Sequence, residues 1–165
     1  MQRYFTQLSF NGSGYHGWQV QPNALTVQQS LEKAFSTILG EEITVTGAGR
    51  TDTGVHATFF ILHFDSEKHD LDTGRLVYRL NRFLPPAIAI QKIRKVPGKA
   101  HARFSAISRT YKYFIATRKD PFATETSFLY TGGLAVDKMD EAAAILFDYT
   151  DFTSFSRLHT DVKTN

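Results

Sequence analysis

The residues best suited to chemistry lie between Gly47 and Ala57, in the run Gly-Ala-Gly-Arg-Thr-Asp-Thr-Gly-Val-His-Ala. Asp52 is the only carboxylate between Glu42 and Asp65, and Arg50 stands two residues before it. The glycines allow positive φ and a close approach of backbone to a ligand. One acid on such a loop can serve as a nucleophile or a base. The plainer reading is a turn in which Asp52 bonds its own backbone amides.

A second cluster, Gly14-Tyr15-His16-Gly17-Trp18-Gln19, brings three large rings into a loop and includes the single Trp of the chain. Such rings can stack on unpaired bases or cover the edge of a core, and both readings stay open. His56, His63 and His69 could suggest a metal set, but no carboxylate or His pair has the i, i+4 helical spacing of a ligand pair, so no metal is expected. The chain has no cysteine, which removes disulfides, thiolate zinc sites and thiol nucleophiles.

Elements that would hold these residues follow from periodicity. Tyr4, Thr6, Leu8 and Phe10 alternate with Phe5, Gln7 and Ser9 as a strand that Asn11-Gly12 ends. Thr26-Val27-Gln28-Gln29 has the form of a capping box. It opens a helix with an apolar stripe of Val27, Leu31, Ala34, Phe35, Ile38 and Leu39, which Gly40 stops. A short strand over 43–46 leads into the Asp52 loop. The run Thr58–Phe64, apolar on both sides, predicts a central strand. Asp72 or Thr73 caps a second helix that turns Leu76, Leu80, Phe83 and Leu84 inward and leaves Arg75, Arg79 and Arg82 on its polar side. Pro85-Pro86 ends it. Ile88, Ile90, Ile93 and Val96 mark a fourth strand with an irregularity where the alternation slips. The order β-α-β-β-α-β predicts an α+β, ferredoxin-like domain with both helices on one face of an antiparallel sheet. Its other face stays free, as in sheet-type RNA readers.

Beyond Pro97-Gly98, Tyr111, Tyr113 and Ile115 alternate with Lys112, Phe114 and Ala116 and predict a further strand. Residues 120–135 read as loop, and Asp137 as the cap of a third helix. Domain boundaries are expected at 1–105 and 106–165.

Charge is segregated along the chain. The net charge is +3, yet residues 75–119 hold 12 Lys and Arg and no Asp or Glu, while the segments on either side are net acidic. A solvated basic face is one reading; a polyanion partner, whose condensed counterions are released on binding, is the better one. Arg103, Arg109 and Lys112 belong to this stretch. No apolar run approaches a membrane span and the N-terminus lacks a signal-peptide block, so a cytoplasmic protein is expected.

The nine residues Gly49 to Ala57 resemble the active-site motif of the TruA family of tRNA pseudouridine synthases, and they include the uncommon order Arg-Thr-Asp. The Tyr-His-Gly-Trp-Gln segment is similar to one near that family's active site. His101-Ala102-Arg103-Phe104-Ser105-Ala106 with Arg109-Thr110-Tyr111-Lys112-Tyr113 resembles its second motif, and 151–155 a further short segment. The resemblance implies conversion of uridine to pseudouridine in the anticodon arm of tRNA, with no cofactor and no metal. Asp52 would be the catalytic residue, Arg50 would keep it ionised and engage the RNA, and Tyr111 would stack on the detached uracil. His16, Trp18, Gln19, Arg75, Arg79, Arg82, Arg103, Arg109 and Lys112 complete the expected RNA-facing set. It also implies a homodimer at full length. This chain would correspond to the N-terminal two-thirds of a member, ending within a second ferredoxin-like domain. Two other readings compete: a non-catalytic RNA-binding module using an open sheet and a basic strip, and a metal-dependent phosphohydrolase using Asp52, His56 and His63.

Overall fold

The structure is a computed structural model that describes residues 1–155. It divides into two compact units, Met1–Tyr113 and Phe114–Asn165, treated separately below.

The first unit follows from alternation and capping. Tyr4, Thr6, Leu8 and Phe10 are buried along strand β1 (Gln2–Phe10), while Phe5, Gln7 and Ser9 on its other side are half-buried. Helix α1 (Val27–Leu39) starts where the Thr26 hydroxyl accepts the Gln29 amide at 3.3 Å. It stops at Gly40, left-handed at φ 68°, whose N–H reaches back to the Ser36 carbonyl. Val27, Leu31, Ala34, Phe35 and Leu39 are its buried stripe. Strand β2 (Val45–Gly47) precedes the Asp52 loop and β3 (Ala57–Ser66) follows it. Helix α2 (Thr73–Phe83) is capped by the Asp72 carboxylate, which accepts the Arg75 amide, and β4 (Ile88–Val96) closes the unit.

The sheet order is β2-β3-β1-β4 with every neighbouring pair antiparallel, the split βαβ arrangement of a ferredoxin-like domain. One core forms where both helices cover the Tyr4–Phe64 side of the sheet, with the Phe35 ring 4.6 Å from that of Phe64. Each such apolar side chain contributes on the order of 1.5–3 kcal/mol by leaving water. The slip in β4 is a bulge. Gln7 faces Lys92 and Leu8 faces Ile90, which leaves Gln91 as the extra residue. Asn81 of α2 pairs its amide side chain with both backbone groups of Ile90, each at 2.8 Å, and so holds the strand at that irregularity.

β3 is central, as expected, between β2 and β1. Phe60, Leu62 and Phe64 meet the helices, which pack on the same side, whereas Phe59 on the other face is 65% exposed. One expectation is corrected. Phe83 faces solvent at the end of α2, because Leu84, just beyond the helix, fills the inward position.

The second unit holds a parallel pair, β5 (Ile115–Ala116) with β6 (Phe128–Leu129), and helix α3 (Val136–Ile145), followed by single turns at 146–148 and 153–155. β6 falls inside the predicted loop. The Tyr111–Ile115 alternation yields a paired strand only at Ile115–Ala116, because side-chain alternation forms a strand only where a partner supplies ladder bonds. Asp137 is not the cap of α3. Ala135 occupies that position without a side-chain bond, and Asp137 lies in the first turn, where its charge favours the helix dipole. None of this unit's described side chains is buried. The polar tail, 156–165, lies outside the described residues.

Candidate active site

The Asp52 loop is held by its backbone. Its first residue after β2, Ala48, donates its N–H to the Ile61 carbonyl of β3 at 2.8 Å. Farther along, the 12–18 loop runs against it. The Trp18 N–H donates to the Thr51 carbonyl at 3.1 Å, and the Gly54 N–H to the Tyr15 carbonyl at 3.3 Å. Gly17 makes this approach possible, since a Cβ there would stand 2.4 Å from the Thr51 oxygen and its φ is +83°. The Val55 N–H closes a turn onto the Asp52 carbonyl at 3.2 Å, and the Gly12 N–H donates to His56 Nδ1 at 3.1 Å.

The Asp52 side chain takes no part in this scaffolding. It is exposed, and among the described residues no hydrogen bond or ion pair engages its carboxylate. The turn reading, in which the carboxylate bonds its own backbone, is not what forms: it is the Asp52 carbonyl that accepts the turn bond. Arg50 is exposed as well, and among the described residues no ion pair joins it to Asp52. Beside them the Thr51 hydroxyl is sequestered from solvent with no hydrogen-bond partner among the described residues.

The second motif is fastened to the open face of the same sheet. Arg3 and Asp65, directly opposite on β1 and β3, form a bidentate pair at 2.8 and 2.7 Å, and Arg3 also donates to the Ala100 carbonyl at 3.0 Å. His63, 5% exposed, accepts the Ala102 N–H on Nδ1 at 3.2 Å, and its ring lies edge-on to His101 at 4.6 Å. Burial first, then the charges of Arg3 and His101, lowers the His63 pKa to about 4, so the ring is neutral and can accept. The Arg3 hydrogen bond likewise depresses the Asp65 carboxyl.

From this anchor the chain returns to the Asp52 loop through Arg109. Its Nε and Nη2 donate to the Ala48 carbonyl at 3.0 and 2.8 Å, and Nη2 also reaches the Arg103 carbonyl at 2.7 Å. Tyr111, two residues on, is 76% exposed and enters no hydrogen bond or ring pair among the described residues. Lys112 is exposed, and Arg103 lies over the Phe104 ring at 5.7 Å.

The other expected residues separate into groups. His16 and Gln19 are exposed beside the loop, but Trp18 is 3% exposed, its ring 4.4 Å from that of Phe60 and 6.1 Å from that of Phe10. Trp18 therefore takes the core role, not the stacking one. Arg75, Arg79 and Arg82 are exposed on α2, on the helical side of the sheet, away from the face that carries His63 and Ala102. The structure sets the backbone of the Arg50–Asp52 loop against the 12–18 loop and bonds Arg109 to Ala48 at its start. It leaves the α2 arginines apart. Sequence reasoning missed the Arg3–Asp65–His63 anchor, whose only signal was the shared parity of 3 with 65 and 63 on opposite strands.

A ferredoxin-like α+β unit that offers one unengaged carboxylate on a clamped loop is the class these features define. A profile of the family described as tRNA pseudouridine synthase matches residues 8–105, and the chain belongs to that family. Among its relatives, tRNA pseudouridine synthase A of Bacteroides thetaiotaomicron is 53% identical over 165 residues, all of this chain and 61% of the relative. The protein of the same name from Parabacteroides distasonis is also 53% identical, over 66% of its length. That of Listeria monocytogenes is 39% identical over 98% of this chain and 66% of the relative. The chain thus spans 61–66% of the length of these relatives.

Proposed function

We propose that this chain is the Asp52-bearing part of a tRNA pseudouridine synthase that isomerises uridine in the anticodon arm, working in the cytoplasm as a homodimer at full length. One observation supports it above the others: within a chain of this family, the Asp52 backbone is fixed at several points while its carboxylate is left unengaged. A side chain with no structural duty on a braced backbone is what catalysis needs.

In the reaction the N1–C1′ bond of the uridine breaks and a C5–C1′ bond forms. N1 gains a proton and the C5 hydrogen leaves as a proton, so no oxidant or water is consumed. The Asp52 carboxyl group acts on the ribose by attack at C1′ or by removing a ribose proton. Extruding the nucleotide costs a few kcal/mol, offset by phosphate contacts along the basic stretch from Arg75 to Lys119. Arg50 takes the place of the extruded residue's contacts, and Tyr111 stacks on the freed uracil. Asp52 is open to solvent in this unit, so the dry surroundings that the chemistry needs are completed by RNA and by the rest of the protein. The second unit is read as the start of a second ferredoxin-like domain, whose remaining strands would cover its exposed apolar side chains.

The test is chemical mapping of pseudouridine in tRNA treated with the full-length protein and with its Asp52→Asn variant. Product at anticodon-arm uridines from the first, and none from the second, is expected. Equal product from both would remove Asp52 from the mechanism. RNA binding with no product from either would favour the non-catalytic RNA-binding reading.

A further inference from the structure

The basic stretch invites assignment of each of its cations to a phosphate, and Arg109 is among them. Its geometry says otherwise. The guanidinium is a planar fork, and here the fork is turned onto the protein: two nitrogens on the Ala48 carbonyl and one of them shared with the Arg103 carbonyl. Ala48 is the point at which the chain leaves β3's ladder and becomes the Asp52 loop, since its N–H is still bonded to Ile61 while its carbonyl accepts from Arg109. Gly49 lies under the same side chain: a Cβ there would stand 3.5 Å from Arg109 Nε. On its far side Arg109 grips Arg103, the residue after Ala102, whose amide is fixed by His63.

We propose that Arg109 is a positioning residue for Asp52, a clasp that ties the root of the catalytic loop to the His63-anchored second motif, rather than a phosphate contact. This rests on the reading of Asp52 as the catalytic carboxylate. Hydrogen bonds from a charged donor are about twice as strong as neutral ones, and two of them meet at the loop's origin while a third holds the second motif. Without them Gly49 lets the loop pivot, and a displacement of about 1 Å at a reacting group can slow a reaction on the order of 100-fold. Lysine is a poor replacement, because its ammonium lacks the planar fork that sets Nε and Nη2 together on the Ala48 carbonyl while Nη2 also reaches the Arg103 carbonyl.

Arg109→Ala and Arg109→Lys in the full-length protein test the assignment. Three readouts are compared: the single-turnover rate at saturating tRNA, tRNA affinity as a function of salt, and hydrogen exchange of the amides from Gly49 to Gly54. Both variants are expected to lower the rate by about 10- to 100-fold and to speed the exchange about tenfold. Affinity should stay within about twofold and its salt slope should be unchanged. A phosphate contact gives the opposite pattern: the Ala variant loses affinity and about one unit of salt slope, and the Lys variant recovers both with normal exchange. That result, or a wild-type rate in both variants, overturns the clasp. The Asp52→Asn protein, measured alongside, separates the two readings. If it is active, the catalytic assignment fails; if it is inactive while Arg109→Ala is fully active, only the clasp fails.

Discussion

His63 shows how one residue can couple pH to the site's framework. Its ring is neutral because burial, with Arg3 beside it, opposes the charged form, and neutrality frees Nδ1 to accept the Ala102 amide. The folded value of about 4 lies below the ordinary 6.5, so the unfolded chain binds the proton first. This contribution to stability is complete above about pH 6.5 and is lost as pH falls towards 4, an effect on the order of 2–3 kcal/mol. Urea unfolding at a series of pH values should show that loss, and His63→Gln should flatten it. The Asp65 carboxyl, depressed by Arg3, gives way at still lower pH. At this scale the loop that carries Asp52 was legible, because its glycines and the apolar alternation on either side set it between two strands. Arg109 was not: twelve cations in one stretch look alike until one of them is found bonded to backbone.

The elements differ in how much of their cause is local. α1 could be read to the residue, since Thr26 and Gly40 act within one turn of the helix they bound. The Trp18 loop could not, because its role depends on a residue far along the chain. A Cβ on Gly47 would stand 2.6 Å from the Trp18 ring, which is already packed on Phe60 and Phe10. Gly47→Ala should therefore destabilise the unit by about 1–3 kcal/mol through overpacking, as read from the urea midpoint. Gly17→Ala should do more local harm, forcing apart the 12–18 and Asp52 loops where a backbone oxygen is only 2.4 Å from the new carbon. Tyr111 shows the converse limit. Its alternating neighbours promised a strand, and the ladder that would make one is formed only from Ile115.

The two units of the molecule stand in different conditions. Met1–Tyr113 has a closed core beneath a four-stranded sheet, whereas the described side chains of the second unit are all at least partly exposed, Phe122, Phe147 and Phe155 among them. Residues 1–113 alone should thus unfold in a single cooperative transition, measured in urea. Amides of α3 should exchange far faster than those of β1. The central claim concerns the reaction itself, and the loss of the C5 hydrogen reports it directly. With tRNA tritiated at uridine C5, the full-length protein should release tritium to water in a single turnover. Asp52→Asn should bind the same tRNA with similar affinity and release it at least about 1000-fold more slowly. Release at the wild-type rate from the Asn variant would contradict the account.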